Sequence, residues 1–90
     1  MKLRDAVLAF DEWSYPWMFK NKIMEMLKND PNELFKAEAI YDEANKKENW
    51  FQVDRVIGCK ITQNELRKRF PKEDEDVLAC FVRAASYNWR

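Results

Sequence analysis

The chain has 90 residues with no histidine, one glycine (Gly58) and four tryptophans, Trp13, Trp17, Trp50 and Trp89. It therefore lacks the usual general base at neutral pH, the commonest metal ligand and any glycine-rich phosphate cradle, and its composition favours contact over catalysis. Its 16 Lys and Arg balance 16 Asp and Glu, which argues against a uniformly basic nucleic-acid binder and against an acidic mimic of DNA.

The length suits one core, so a single helical domain over residues 1–90 is expected. No stretch approaches the roughly 20 apolar residues that a membrane span needs, and the charges inside residues 2–12 do not fit a signal peptide. Cys59 and Cys80 accordingly read as reduced thiols of a cytoplasmic protein.

Taken in chain order, Leu3, Val7 and Phe10 lie at helical spacing, and residues 2–12 read as an amphipathic helix. Pro16 cannot continue that helix but suits the start of another, over residues 16–29, with Phe19, Ile23, Met26 and Leu27 as its apolar stripe. The Asn29-Asp-Pro-Asn-Glu33 segment carries Asp30 as an N-cap, Pro31 at the first helical position and Glu33 placed to complete a capping box. A third helix is expected from there to about residue 46, with Leu34, Ala37, Tyr41 and Ala44 on one face.

Residues 49–61 admit two readings. Asn49 and Gln52 resemble a capping box opening a helix that ends at Gly58, whereas Phe51, Val53, Ile57, Cys59 and Ile61 alternate nearly as a strand would. The helix is preferred over a short two-stranded ribbon near residues 50–61, because a lone strand has no visible partner. Thr62 and Glu65 form a further capping-box pattern, with Ile61 and Leu66 as its staple, predicting a short helix over 63–70 that Pro71 stops. Glu73 to Asp76 then place negative charge at the start of a last helix running to about Tyr87, with Val77, Leu78, Phe81, Ala84 and Ala85 buried. The fold class that follows is all-α, a compact bundle of five or six short helices.

Two surfaces stand out as candidate sites. Over residues 55–72, Arg55, Lys60, Arg67, Lys68, Arg69 and Lys72 stand against Glu65 alone, a local net charge of +5. A helix with Leu66 inward turns Asn64 and Lys68 outward and Arg67 to the flank, residue types that bond base edges and phosphates. With Gly58 as a turn glycine the segment has a helix-turn-helix outline, although only with a lengthened turn, since Asn64 and Arg67 otherwise fall where that motif wants apolar residues. The macromolecule-binding residues expected here are Arg55, Lys60, Asn64, Arg67 and Lys68, against the plainer reading of a solvated basic helix.

The second surface is the aromatic run Trp13, Tyr15, Trp17, with Phe19 following it, in which Trp and Tyr are frequent anchors of protein interfaces. Its plainer reading is a corner whose rings seal one end of the core. The acidic run at 73–76 lacks the spaced oxygen ligands and glycine of a calcium loop, and two thiols without histidine make no zinc site, so no metal or cofactor is expected. Cys80 reads as a small interior residue and Cys59 as the more reactive thiol.

These features lead to the expectation of a non-enzymatic protein that binds a protein partner as a regulator, inhibitor or adaptor, or that self-associates to cover its aromatic surface. A short chain of this kind would suit a phage or mobile-element accessory protein, a prior about such chains rather than a property of these residues. The alternative is a nucleic-acid-binding regulator that uses the helix at 63–70.

Overall fold

The computed structural model describes residues 1–89, and among the described residues every regular element is helical. The elements are α1 (Leu3–Ala9), a 3-10 turn (Pro16–Met18), α2 (Phe19–Leu27), α3 (Pro31–Ala44), α4 (Lys47–Trp50), α5 (Arg55–Arg69) and α6 (Glu75–Asn88). The two-stranded ribbon does not form.

The core follows the apolar periodicity. Leu3, Ala6 and Val7 of α1, Phe19, Ile23 and Leu27 of α2, Ala37, Ile40 and Ala44 of α3, and Val77, Leu78, Phe81 and Ala85 of α6 are buried in one cluster. Phe19 is its hinge pin, meeting Phe10 and Phe81 edge-on at centroid distances of 5.3 and 5.2 Å. Each such pair is worth about 0.5–1.5 kcal/mol beyond the area it hides. Helix α6 touches α1, α3, α5 and the 3-10 turn, and so forms the centre of the bundle.

Several helix starts differ from the sequence expectation, and each difference has a local cause. Asp30 precedes α3 but gives no side-chain cap, because its carboxylate pairs with the N-terminal ammonium of Met1. Glu33 does not reach back along α3; its Oε1 accepts from the Leu3 backbone N–H at 2.9 Å, capping the first turn of α1 from a distance of 30 residues in sequence. A distant buried carboxylate thus replaces the local box.

Residues 49–58 do not form the expected helix. Asn49 donates to the Glu43 carbonyl at 3.1 Å and the Trp50 indole Nε1 donates to the Ala44 carbonyl at 2.8 Å, which folds the chain back after α3 in one helical turn, α4. Gln52 takes a positive φ of 59° in the turn that follows. Asp54 then caps α5, its Oδ1 accepting from Ile57 N at 3.0 Å.

Gly58 is therefore an interior residue of α5 and not a helix end. Trp50, which is 5% exposed, lies against it, and a Cβ built on Gly58 would stand 2.5 Å from Trp50 Cε3. Thr62 and Glu65 are likewise inside α5, so the expected helix at 63–70 is the second half of one continuous helix. Thr62 is buried, and its Oγ1 has no hydrogen-bond partner. Pro71 and the acidic start of α6 fall where expected, with Asp74 preceding a first turn that holds Glu75 and Asp76.

Helices α5 and α6 run antiparallel. Arg67 pairs with Glu75 near one end of the pair, and Arg55 lies over the Tyr87 ring, 5.4 Å to its centroid, at the other. That arrangement decides which surface residues come together.

Candidate functional site

The end of the bundle where α6 finishes gathers elements from most of the chain. Asn88 Nδ2 donates to the Tyr41 hydroxyl at 3.0 Å and to Asn45 Oδ1 at 2.9 Å, fixing the end of α6 on the end of α3. Trp13, Pro16, Trp17, Tyr87 and Asn88 line one hollow there of about 370 Å³. Arg55 on Tyr87 brings the start of α5 to the same place, and with it the turn from Phe51 to Val53.

The surface of this end is aromatic and aliphatic. Trp17 is 66% exposed and Tyr15 54%, and the two rings meet edge-on at 5.5 Å. Val56 is 66% exposed, and Phe51, Ile57 and Trp89 are also exposed. Chain geometry causes this: α5 buries Gly58, Thr62 and Leu66 at a spacing of four, and Val56 and Ile57 fall off that face. Exposed large apolar side chains gathered at one end of a domain mark contact sites in globular proteins.

Trp13 departs from its neighbours. It is half-buried, edge-on to Phe10 at 4.8 Å and stacked on Phe19 at 5.5 Å, so it seals the core as the plainer reading has it. Its other face carries the Arg83 guanidinium, 4.3 Å from the ring centroid. The expected aromatic run thus divides into one ring that supports the fold and two that face outward.

The expected basic residues divide in the same way. Arg67 bonds Asn64 Oδ1 at 3.3 Å and pairs with Glu75, Lys68 Nζ lies 3.6 Å from Glu65, and Arg69 lies 3.1 Å from Glu43. Three of the six cations of the basic stripe are thereby paired with carboxylates of α3, α5 and α6, and Lys72 has no such partner among the described residues. Arg55 and Lys60 hold no ion pair among the described residues. The helix-turn-helix outline is not formed, because α5 passes through Gly58 without a turn.

Sequence reasoning missed Phe51, Val56, Ile57 and Arg83. The signal for the first three was Asp54, which read as the N-cap of α5 would have placed Val56 and Ile57 beside, and not on, the buried stripe. Arg83 gives no such signal, since its seat on Trp13 is a long-range contact.

The thiols are not activated. Burial pushes the Cys59 thiol above its ordinary value, against a smaller opposing effect of Arg55, and burial followed by the Asp76 charge does the same to Cys80. Cys59 also lies inside α5 and not at the turn on which its expected reactivity rested. Among the described residues no three carboxylates or thiols converge as a metal would require, and no helix is long and apolar enough to cross a membrane. Comparison with known protein families, characterised proteins and solved structures yields no match to this chain.

Proposed function

We propose that the protein is a small, non-enzymatic binding protein of the cytoplasm that acts on a protein partner as a regulator, inhibitor or adaptor, through the aromatic end of the bundle. The observation that carries this reading is the exposure of Tyr15 and Trp17, with Val56 and Ile57 also exposed in the first turn of α5, four large apolar side chains that the core does not need. Aromatic anchors surrounded by aliphatic surface are the usual centres of protein interfaces. The neutralised state of Arg67, Lys68 and Arg69 favours a protein over a nucleic acid, because counterion release needs cations free to meet phosphates.

The test is photocrosslinking in the native host, with a photoreactive phenylalanine analogue in place of Tyr15 or Phe51. The expected product is a discrete protein adduct that disappears in a Trp17→Ala background. Phe35, 75% exposed on α3, is the rival surface. Adducts from Phe35 alone would overturn the assignment of the aromatic end, and adducts of the chain with itself would make the partner a second copy. Retarded nucleic acid in a gel-shift series, with steep salt dependence, would favour the alternative of a nucleic-acid-binding regulator.

A further inference from the structure

The groove between α5 and α6 opens onto the aromatic end. Cys59, Lys60 and Gln63 line one side and Ala79, Val82, Arg83 and Ser86 the other of a shallow, open hollow of about 390 Å³. These positions recur at intervals of three, four and seven, one face of each helix. Small side chains at 59, 79 and 86 keep the floor low, while Lys60 and Arg83 rise as its walls. At the far end Arg67 pairs with Glu75, and Gln63 Nε2 donates to the Glu75 carbonyl at 3.5 Å.

Most of the cations without a carboxylate partner among the described residues lie around this groove and the aromatic end, Lys2 and Lys72 being the others. Arg4, Lys22, Lys28, Lys36 and Lys46 have a carboxylate within 4.0 Å, as do the cations in the second half of α5. Among the described residues, five cations of the groove and the aromatic end have none: Lys20, Lys47, Arg55, Lys60 and Arg83. Four of these lie over rings, Lys20 on Tyr41, Lys47 on Phe51, Arg55 on Tyr87 and Arg83 on Trp13. Of the acids near this region, Asp54 is engaged in the cap of α5, and Glu48 borders a hollow with Glu43 and Arg69 on the opposite side of that helix. Asp11 and Asp42 are exposed carboxylates close to this region in sequence.

We infer that the α5/α6 groove takes up an acidic amphipathic segment of a partner protein, with carboxylates meeting Lys60 and Arg83 and apolar side chains entering the groove between them. The inference rests on the reading of the aromatic end as a protein-binding surface and gives that partner its chemistry. Two helices with a low apolar floor between charged walls accept a helix by its apolar ridge. Unneutralised cations beside that floor set the sign of the partner and speed its approach. Single-stranded nucleic acid, which stacks bases on open ring faces, fits the groove itself less well, because Trp13, the ring beside its wall, is covered by Arg83.

The experiment is selection of an unbiased display library of 16-residue peptides on the full chain. The expected peptides are rich in Asp and Glu, with aromatic or aliphatic residues at intervals of three or four. Measured by fluorescence anisotropy, a selected peptide should bind about fivefold or more weakly to a Lys60→Glu, Arg83→Glu variant, and equally well to Lys72→Glu, whose charge lies at the other end of the bundle. Should Arg83→Glu lower the melting point, Lys60→Glu combined with Arg83→Gln serves in its place.

Basic or neutral peptides, no enrichment, or binding indifferent to the charge reversal would each overturn the inference. So would tight binding of a 20-nucleotide oligothymidylate that the same reversal abolishes. Crosslinking from Tyr15 to a protein partner that persists in the charge-reversed variant would remove this inference alone and leave the proposed function standing.

Discussion

Replacing Gly58 by alanine sets two opposing effects against each other, and their sizes decide the sign. Gly58 lies inside α5, where alanine is favoured over glycine by about 1 kcal/mol through the backbone entropy of the unfolded chain. Against this, the new Cβ would stand 2.5 Å from Trp50 Cε3 and 2.8 Å from Cζ3. The indole cannot move aside freely, being buried and held by the 2.8 Å bond from Nε1 to the Ala44 carbonyl. Displacing it costs about 1–3 kcal/mol for overpacking, and a further ~1 kcal/mol if that bond is lost. The net expectation is destabilisation by about 0–2 kcal/mol if the indole keeps its bond and about 1–3 kcal/mol if it does not, with a fall in Tm of about 4–8 °C per kcal/mol for a domain of this size.

Thermal melts followed by far-ultraviolet circular dichroism measure it. Tryptophan fluorescence adds a local readout, since a displaced Trp50 leaves its buried site. A double-mutant cycle isolates the cause: in a Trp50→Leu background, Gly58→Ala should lose its penalty and become stabilising by about 0.5–1 kcal/mol. A single Gly58→Ala variant that melts higher than the parent would refute the packing of Trp50 on α5, and with it the route by which α4 brings Phe51 to the aromatic end.

Thr62→Val should raise stability by about 1 kcal/mol, because it removes a buried hydroxyl without a partner while keeping the side chain's shape; a loss on denaturant unfolding would mean that the hydroxyl is engaged after all. Glu33→Ala should cost about 1–2 kcal/mol by uncapping the Leu3 N–H. The Leu3 N–H first, and Lys36 second, hold the Glu33 carboxyl below its ordinary value. Its contribution is therefore present above the unfolded-state pKa near 4.3 and is lost as pH falls through the lower folded value, so melts between pH 7 and pH 2 should decline less steeply for Glu33→Gln than for the parent. Trp17→Ala, at a side chain 66% exposed, should leave Tm within about 2–4 °C while abolishing the Tyr15 crosslink; a collapse of the fold would show Trp17 to be structural.

The helices legible in the sequence were those whose signals are local and agree with one another. Pro16 before Phe19, Ile23 and Leu27, and Pro31 before Ala37 and Ala44, each join a start signal to an apolar stripe and a helix follows each, although α2 begins only at Phe19 after the 3-10 turn, and Ile40, not Leu34 or Tyr41, completes the buried face of α3. The misreadings occurred where a local signal was redirected to a distant group. Glu33 was patterned to cap α3 but serves α1, since the Leu3 N–H brought beside it by packing is an unsatisfied donor. Gly58 resembled a helix end because helices often stop at glycine, yet it is required within a helix by the approach of an indole eight residues earlier.

The same distinction governs the site. Tyr15 and Trp17 could be named because they are rare residue types, and Lys60 because it lies in a run of positive charge. Which members of that run remain available was not legible: Glu43 takes Arg69 and Glu75 takes Arg67 across helix contacts that no spacing in the sequence encodes. Folding therefore does more than display a basic stripe. By tying Arg67, Lys68 and Arg69 to carboxylates and leaving Arg55, Lys60 and Arg83 without one, it places unpaired positive charge near the end where apolar surface is exposed. A ligand that answers only to charge gains little from that arrangement, whereas one that carries both carboxylates and apolar anchors is served by both features at once.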